Sequence, residues 1–406
     1  MADLSIDFCG VRFKNPLVAA SSELTLSATN MKRCIDAGAG GLVAKTLTDS
    51  IPMREQTGNS KWRFLNEKHR VAPGKVPREF SFYGRSGLAE EGPEEWAAEI
   101  REAVAYAGQN DAVVIGSVGG SAGPWAWAEL AKVLEDCGCP LVELNFGCPH
   151  PSQMKGEKTG MVIGQDPVAA AEAVAAVAAA VTIPIITKLT PQVTDMVAMS
   201  RAMREAGASA VTLTNRFLGF VVNIETARPF IYGHAGIGGP WVKPLTLRWI
   251  SKTFEAMPDL PITGSNGCYD ASDMVEFMMS GASIVQMCSA VMLKGYPYLG
   301  QVVKDYGAFL DRKGYEASKD IVGLAARAAL PYDQIKALPG ERAEIDRDLC
   351  VDCGICADHC FYNVIGEEDG QYVVGECRGC GICSCVCPEG AITIKGGAGW
   401  SEAERQ

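Results

Sequence analysis

Two cysteine runs near the C-terminus carry the most definite chemistry in this sequence. The first is Cys350-x2-Cys353-x2-Cys356-x3-Cys360, and the second is Cys377-x2-Cys380-x2-Cys383-x3-Cys387, followed by Pro388. Three cysteines spaced by two residues turn the chain around one [4Fe–4S] cubane, and the fourth cysteine of each run reaches the other cluster. The spacing therefore predicts two [4Fe–4S] clusters, one held by Cys350, Cys353, Cys356 and Cys387, the other by Cys377, Cys380, Cys383 and Cys360. Zinc also uses C-x2-C pairs, but it needs two pairs per ion rather than two runs of four. Cys385, inside the second run, reads as a packing residue. Phe361 stands after Cys360 where a proline would repeat the second run, a change expected to tune the local turn.

A second set of reactive residues recurs at the ends of short apolar runs. These segments are Ala20-Ser21-Ser22, Ala44-Lys45-Thr46, Glu143-Leu144-Asn145-Phe146-Gly147-Cys148-Pro149-His150, Gly164-Gln165-Asp166-Pro167, Lys188-Leu189-Thr190-Pro191, Leu213-Thr214-Asn215, Gly236-Ile237-Gly238-Gly239, Thr263-Gly264-Ser265-Asn266-Gly267 and Cys288-Ser289. A lysine in such a position needs a partner or a ligand, so Lys45 and Lys188 favour a site. An asparagine there is also a common cap or turn residue.

The elements that must position these residues alternate in type. Val- and Ile-rich runs predict strands at Leu17–Ser21, Gly41–Thr46, Ala112–Val118, Leu141–Phe146, Ile185–Leu189, Ala210–Asn215, Ile262–Asn266 and Ile284–Ser289. Helical periodicity falls between them at Glu94–Ala107, Ala126–Cys137, Pro167–Val181, Thr194–Ala206, Pro244–Met257 and Ala271–Ser280. Continuous apolar strands alternating with helices indicate a buried parallel sheet. Eight of them over about 300 residues fit an α/β fold of the closed (β/α)8 TIM barrel type. The competing open doubly wound sheet lacks its G-x-G-x-x-G after the first strand. Ile6–Val18 reads as a small hairpin plugging the barrel's bottom. The expected divisions are a barrel over 1–315, a helical connector over 316–340 with Pro331 and Pro339, a two-cluster ferredoxin-like α+β domain over 341–396, and a disordered tail over 397–406.

Composition narrows the class. The chain has 406 residues, 48% hydrophobic and 21% charged, with a formal net charge of -11. An acidic surface repels phosphate backbones and anionic lipid, so neither nucleic acid nor a membrane is an expected partner. No basic segment followed by an apolar stretch opens the chain, and no apolar run is long enough to span a bilayer. Of the sixteen cysteines, nine lie between Cys350 and Cys387 and seven are scattered through mostly apolar segments. That distribution is metal chemistry in a reducing compartment, and a cytoplasmic protein is expected.

Taken in order and spacing, the strand-end segments resemble the dihydroorotate dehydrogenase-like flavin barrels, in particular the dihydropyrimidine dehydrogenase branch, over nearly the whole chain. The resemblance implies FMN in the barrel mouth, hydride exchange at flavin N5 with a C=C bond of a small substrate, and electrons passing through the two clusters. It implies Ala20, Ser21, Lys45, Thr46, Asn145, Lys188, Thr214, Gly238, Gly239, Gly264, Ser265, Asn266, Gly267, Cys288 and Ser289 as cofactor contacts. Lys45 and Lys188 would lie near the isoalloxazine N1–C2=O edge. Backbone amides of Gly264–Gly267 and Cys288–Ser289 suit the phosphate. The resemblance further implies a separate FAD- or NAD(P)-binding subunit, or a ferredoxin, as electron partner, and an oligomeric assembly.

The stretch from Cys148 to Pro167 reads as a loop that closes over substrate. The resemblance implies a cysteine or serine acid in it, placed by this reading just before Gly164, where Ile163 stands. Candidates for a replacement acid are His150, Glu157, Lys158, Thr159 and, from the Phe82-Tyr83-Gly84-Arg85 stretch, Tyr83. Gly119-Gly120-Ser121 and Arg216 stand where the pyrimidine enzymes carry an asparagine and a small hydroxyl residue. Asn145, Asn215, Arg216 and Arg85 are the candidate substrate contacts, the arginines pointing to a carboxylate or similar anion. The dihydropyrimidine dehydrogenase reaction is the first reading. Reduction of another conjugated ring or enoyl-type acid is the second, and an electron-transfer subunit with a non-catalytic barrel is the third.

Overall fold

A computed structural model of the chain describes residues 1–71, 74, 76–334 and 341–396. The chain divides into two compact units, Met1–Ala328 and Ala329–Gln406.

In the first unit, eight parallel strands close into a barrel in sequence order. They are β1 (Leu17–Ala19), β2 (Gly41–Val43), β3 (Val113–Val118), β4 (Leu141–Phe146), β5 (Ile185–Leu189), β6 (Ala210–Leu213), β7 (Ile262–Ser265) and β8 (Ile284–Met287). β8 pairs with β1 through Val285–Leu17, Gln286–Val18 and Met287–Ala19, which closes the sheet. Every residue of these strands is buried. One face packs on helices and the other fills the barrel, which is why the runs are apolar without alternation.

Five strands stop short of their expected ends. Ser21, Thr46, Asn215, Asn266 and Ser289 have already left the ladder. The apolar runs continue past the hydrogen-bonded positions, and the polar residues that follow turn outward at the C-terminal mouth, where sites form in this architecture. The six expected helices form as Pro93–Gln109, Pro124–Asp136, Pro167–Ala180, Met196–Glu205, Lys243–Ala256 and Ala271–Met279. Their starts follow local rules. Asp166 accepts from the amides of Val168 and Ala169, Asp195 accepts from Ala198, and Asp270 forms a capping box with Asp273. Ala28–Asp36 and Tyr298–Lys313 are further helices that the periodicity reading did not name.

The expected hairpin forms from Ile6–Phe8 and Val11–Phe13. Phe13 is fully buried, and its ring lies so close to Gly41, the first residue of β2, that an added Cβ there would stand 2.7 Å away. The hairpin therefore covers the N-terminal end of the barrel. The first unit runs past the expected boundary at 315. Ser318 donates to the Leu4 carbonyl at 3.0 Å and Ile321 is fully buried. Among the described residues the connector holds only short helical pieces, Ser318–Ile321, Leu324–Ala328 and Tyr332–Gln334. Residues 335–340 of it, Pro339 among them, and the tail over 397–406 lie outside the described residues.

A four-stranded antiparallel sheet, absent from the sequence reading, is built from loops after β2 and β6. Its order is Phe217–Gly219, Ala235–Gly238, Ser81–Arg85, Lys61–Leu65. Trp62 and Phe82 stack across it with ring centroids 5.1 Å apart and an interplanar angle of 5°.

The second unit pairs Arg342–Ile345 with Ile392–Lys395 and Ile365–Glu368 with Gln371–Val374. Between them lie two short helices, Ile355–Asp358 and Ile382–Val386. Each begins inside a Cys-Gly-Ile-Cys segment, directly after its glycine, Gly354 or Gly381, which has φ of +78° or +82°. That left-handed conformation suits glycine and reverses the chain between two cysteines.

Trp127 is 1% exposed and packs on Phe146 with ring centroids 4.8 Å apart, tying an outer helix to the end of β4. Trp127→Ala is expected to cost about 3–5 kcal/mol, read as a lower urea midpoint for the first unit.

Candidate active site

Two cavities open at the C-terminal mouth of the barrel. The first, about 570 Å³, is lined by Ala20, Ser21, Phe82, Lys188, Thr214, Asn215, Arg216, Gly238, Gly239, Ser265, Asn266, Gly267, Cys268, Gln286, Cys288 and Ser289. The second, about 550 Å³, includes Glu23, Lys45, Thr46, Trp62, Phe82, Asn145, Cys148, His150, Asn215 and Arg216 in its walls. Ser21, Phe82, Asn215, Arg216 and Cys288 wall both, so the two form one divided cleft.

The first chamber is rich in unused donors. The amides of Gly239, Gly267 and Ser289 have no backbone acceptor among the described residues. The Thr214 hydroxyl is buried without a partner. Gly239 has φ of +141°, and an added Cβ would stand 2.1 Å from the Phe80 carbonyl, so the chain can turn here only with glycine. Lys188 Nζ donates to Gln286 Oε1 at 2.5 Å and stands 3.6 Å from Glu143 Oε1. This chamber is a mouth-facing pocket with amides for an anion at one side and a buried cation at another.

The second chamber is charged and aromatic. Lys45 Nζ donates to Glu23 Oε1 at 2.9 Å. Burial pushes the Glu23 carboxyl up, but Lys45 and Ser86 outweigh it and hold the group below its ordinary value. Asn145 is fixed by Thr46, to which Nδ2 donates at 3.0 Å. Its Oδ1 accepts from the amides of Gly147 and Cys148 at 3.3 and 3.1 Å. This asparagine turn folds the chain back after β4 and sets the Cys148 thiol in the chamber. His150 Nδ1 lies 3.7 Å from Cys148 Sγ, and His150 Nε2 lies 3.4 Å from the Gly236 amide. Burial keeps Cys148 protonated above the ordinary thiol range, against the pull of the His150 amide, Arg216 and Lys45. Burial, with Arg216 and Lys45, pushes the His150 imidazole down to about 3. His150 is therefore neutral at physiological pH.

Arg216 spans the wall between the chambers. Its guanidinium carbon lies 5.4 Å from the Trp62 ring centroid and 5.5 Å from that of Phe82. Nη1 donates to the carbonyls of Gly84 and Gly236 at 3.3 and 3.4 Å. Lys45 and Lys188 have carboxylate partners, whereas none of the ion pairs among the described residues includes Arg216.

The structure sorts the expected residues. Lys188 and Lys45, both expected near the isoalloxazine N1–C2=O edge, line adjoining chambers of the one cleft, and Lys45 pairs with Glu23. Gly264 lines neither, because Phe277 packs against it, 2.3 Å from where a Cβ would be. Arg85 and Tyr83 face away from the cleft. On an alternating strand, Phe82 and Gly84 take the cleft side, while Tyr83 donates to the Gly233 carbonyl inside a separate core with Leu65 and Ile231, and Arg85 donates to Gln56. Of the loop candidates only His150 reaches the cleft. Glu157 accepts from Ser50 at 2.9 Å, Lys158 is exposed, and Thr159 is buried outside both chambers. Ile163 packs against the main core, so its apolar character has no bearing on proton chemistry in the cleft. The residue missed was Cys148. Its signal was present in Asn145-x2-Cys148 directly after a strand end. Also missed were Glu23, the residue directly after the Ala20-Ser21-Ser22 segment, Phe82, which opens the stretch read for Tyr83 and Arg85, and Trp62, whose segment has no strand-end motif.

In the second unit the eight motif cysteines separate into two cavities. One, about 350 Å³, is lined by Cys350, Cys353, Cys356 and Cys387. The other, about 310 Å³, is lined by Cys360, Cys377, Cys380 and Cys383. Each set contains the fourth cysteine of the other run. Cys385 is exposed and lines neither. Among the described residues no three His, Cys, Asp or Glu side chains converge as ligands of a single ion would. The amides of Ala343 and Gly379 point to Cys377 Sγ at 3.4 and 3.3 Å, and that of Ala391 to Cys387 Sγ at 3.3 Å.

His150 also fixes a pH dependence. Its folded pKa lies below the unfolded value of about 6.5, so between the two only the unfolded chain binds the proton. Stability is then lost as pH falls from about 6.5 toward 3. Native protein is expected to lose up to about 1.4 kcal/mol per pH unit more than His150→Asn over this window, read by denaturant titration at pH 7, 6 and 5.

The family model described as dihydroorotate dehydrogenase matches residues 3–310, and that described as 4Fe-4S binding domain matches residues 343–366. The chain is 28% identical over 377 residues to the NAD-dependent dihydropyrimidine dehydrogenase subunit PreA of Escherichia coli (strain K12), covering 88% of this chain and 85% of that one. It is 32% identical over 324 residues to the catalytic subunit of dihydroorotate dehydrogenase B (NAD(+)) of Methanothermobacter thermautotrophicus, covering 79% and 98%. A similar match, 32% over 325 residues covering 80% and 99%, is found with that subunit from Pyrococcus abyssi. No helix among the described residues is long and apolar enough to cross a membrane. With its closed eight-stranded barrel and its cysteine-walled C-terminal unit, the chain belongs to the dihydroorotate dehydrogenase family of flavin-binding oxidoreductases and carries a 4Fe-4S ferredoxin domain.

Proposed function

We propose that this protein exchanges a hydride between FMN and a C=C bond of a small anionic substrate, with electrons passing through two [4Fe–4S] clusters. The observation that carries the reading is the divided cleft, which sets a chamber of free amides and a buried lysine beside one holding a protonated thiol and an unpaired arginine. The residues fit FMN. Gly239, Gly267 and Ser289 would hold its phosphate by their amides, and Lys188, Thr214, Ser21 and Ala20 would line its ring system. A bound flavin supplies hydride exchange at N5 and conversion between one- and two-electron steps.

The chain's own residues supply the rest. In the reducing direction Cys148 is the general acid, giving its proton to the substrate carbon next to the one that receives hydride. Burial keeps the thiol protonated beforehand, while Arg216 and Lys45 stabilise the thiolate left behind. Asn145 and Asn215 hold the substrate plane. Arg216, backed by Trp62 and Phe82, receives a carboxylate or similar anion. A pyrimidine without a charged substituent would leave this half-buried guanidinium without an anionic partner, which favours a conjugated ring or enoyl acid over uracil.

The two cavities, each walled by three cysteines of one run and the fourth of the other, support two [4Fe–4S] clusters rather than zinc, which takes two C-x2-C pairs per ion. The PreA relative is named as a subunit of an NAD-dependent enzyme. By that likeness a separate NAD-binding subunit exchanges electrons with this chain; a ferredoxin is the other candidate, and the cysteine usage fits a reducing, cytoplasmic setting.

Two measurements test this reading after anaerobic purification. Reduced protein is mixed with uracil, thymine, orotate and several conjugated cyclic and enoyl acids, and reoxidation of the flavin is followed. Reoxidation by anionic members only is expected, with KM raised at least about thirtyfold in Arg216→Gln; reoxidation by uracil with an unchanged KM in that variant would end the anion assignment. Cys148→Ala is expected to slow reoxidation by about 10²–10⁴-fold with little change in KM. A rate equal to that of the native protein would remove Cys148 as the acid.

A further inference from the structure

We infer that Glu143 is a positioning residue for the redox chemistry of the cleft, the buried counter-charge that holds the Lys188 ammonium in place and offsets part of its pull on a bound flavin. This rests on the reading that the first chamber holds flavin.

Glu143 is fully buried in the middle of β4 and lines neither chamber. Its Oε2 accepts from Thr212 Oγ1 at 2.9 Å and from Gln286 Nε2 at 2.6 Å. Both hydrogen bonds are donated to it, as a carboxylate requires, and Lys188 Nζ stands 3.6 Å from the other oxygen, which has no hydrogen-bond partner. Gln286 bridges the pair, giving its amide N–H to Glu143 and taking a hydrogen from Lys188 on Oε1. Four residues from β4, β5, β6 and β8 thus form one network inside the barrel, and of these only Lys188 and Gln286 reach the cleft. A carboxylate removed from water here is costly unless something requires it. The cation it faces is that requirement.

The consequence is electrostatic. Reduction of a flavin adds negative charge, which Lys188 favours and Glu143 opposes. Without Glu143 the ammonium would act uncompensated, and the oxidised state would lose ground to the reduced one. With it, the chamber holds a cation for orientation without tipping the flavin strongly toward reduction.

The experiment measures the flavin midpoint potential and the affinity of the oxidised protein for sulfite, which adds negative charge at flavin N5. Glu143→Gln keeps the shape and the hydrogen-bond acceptor but removes the charge. It is expected to raise the midpoint and tighten sulfite binding about tenfold. Glu143→Asp keeps the charge and is expected to hold both readouts near those of the native protein. A folded, flavin-bound Glu143→Gln protein with native potential and native sulfite affinity would reduce Glu143 to a folding role and overturn the inference, with the flavin reading intact. If Glu143→Gln fails to fold, Glu143→Met, which removes the charge with a side chain of similar volume, is measured instead, and native values in it overturn the inference. Native protein that neither carries nor binds FMN would instead overturn the reading of the chamber, and the inference with it.

Discussion

An ammonium group buried inside a closed barrel must have polar partners, because burial takes away most of its water and an unpaired charge there is costly. Lys188 meets that demand with Gln286 and Glu143, and Glu143 in turn draws a hydroxyl from Thr212. The four side chains come from β4, β5, β6 and β8, so the network exists only when the sheet has closed in one register. A slip of one residue in any strand would turn its side chains from the interior to the helices. The buried charge pair and the barrel therefore specify one another. One surface of the pair, the Lys188 ammonium, is presented to the cleft.

The cleft above it is assembled from two kinds of segment. The barrel contributes residues just beyond each strand, where the ladder ends and side chains turn to the mouth. The antiparallel sheet contributes Trp62 and Phe82, and the Arg216 guanidinium lies against their rings and the Gly84 and Gly236 carbonyls. The barrel supplies what is common to many chemistries, namely free amides and an oriented cation. The added sheet supplies what selects, since it shapes the chamber that holds Cys148 and leaves one guanidinium without a carboxylate. Catalytic groups set on short turns over a rigid barrel can differ from protein to protein without disturbing the strands.

The ferredoxin-like unit works by a different economy. Its small core, Ala343, Cys356, Ile365, Cys383 and Ile392, contains two of the motif cysteines themselves. A domain of this size buries little apolar surface and leans on its cofactors for stability. The same cysteines would thus carry electrons and hold the fold.

Much of this was legible without coordinates. Strand and helix order followed from apolar runs that never alternate, because strands buried on both faces have no polar side to show. The two cysteine sets followed from spacing alone, since turns of two residues are local. The antiparallel sheet was not legible, because its strands are short and its central pairing joins segments more than 100 residues apart. Without it, Tyr83 and Arg85 could not be assigned a face, and both were placed in a cleft from which strand alternation turns them. Position 163 was likewise judged by its distance from a turn, whereas the asparagine turn at Asn145 is what brings Cys148, not Ile163, over the mouth. Sequence by itself determined the chemistry available and the order of the elements, because propensity, periodicity and ligand spacing act over a few residues. Which thiol, which arginine and which carboxylate share a cavity was decided only by tertiary structure, since that depends on barrel closure and on pairing between distant strands.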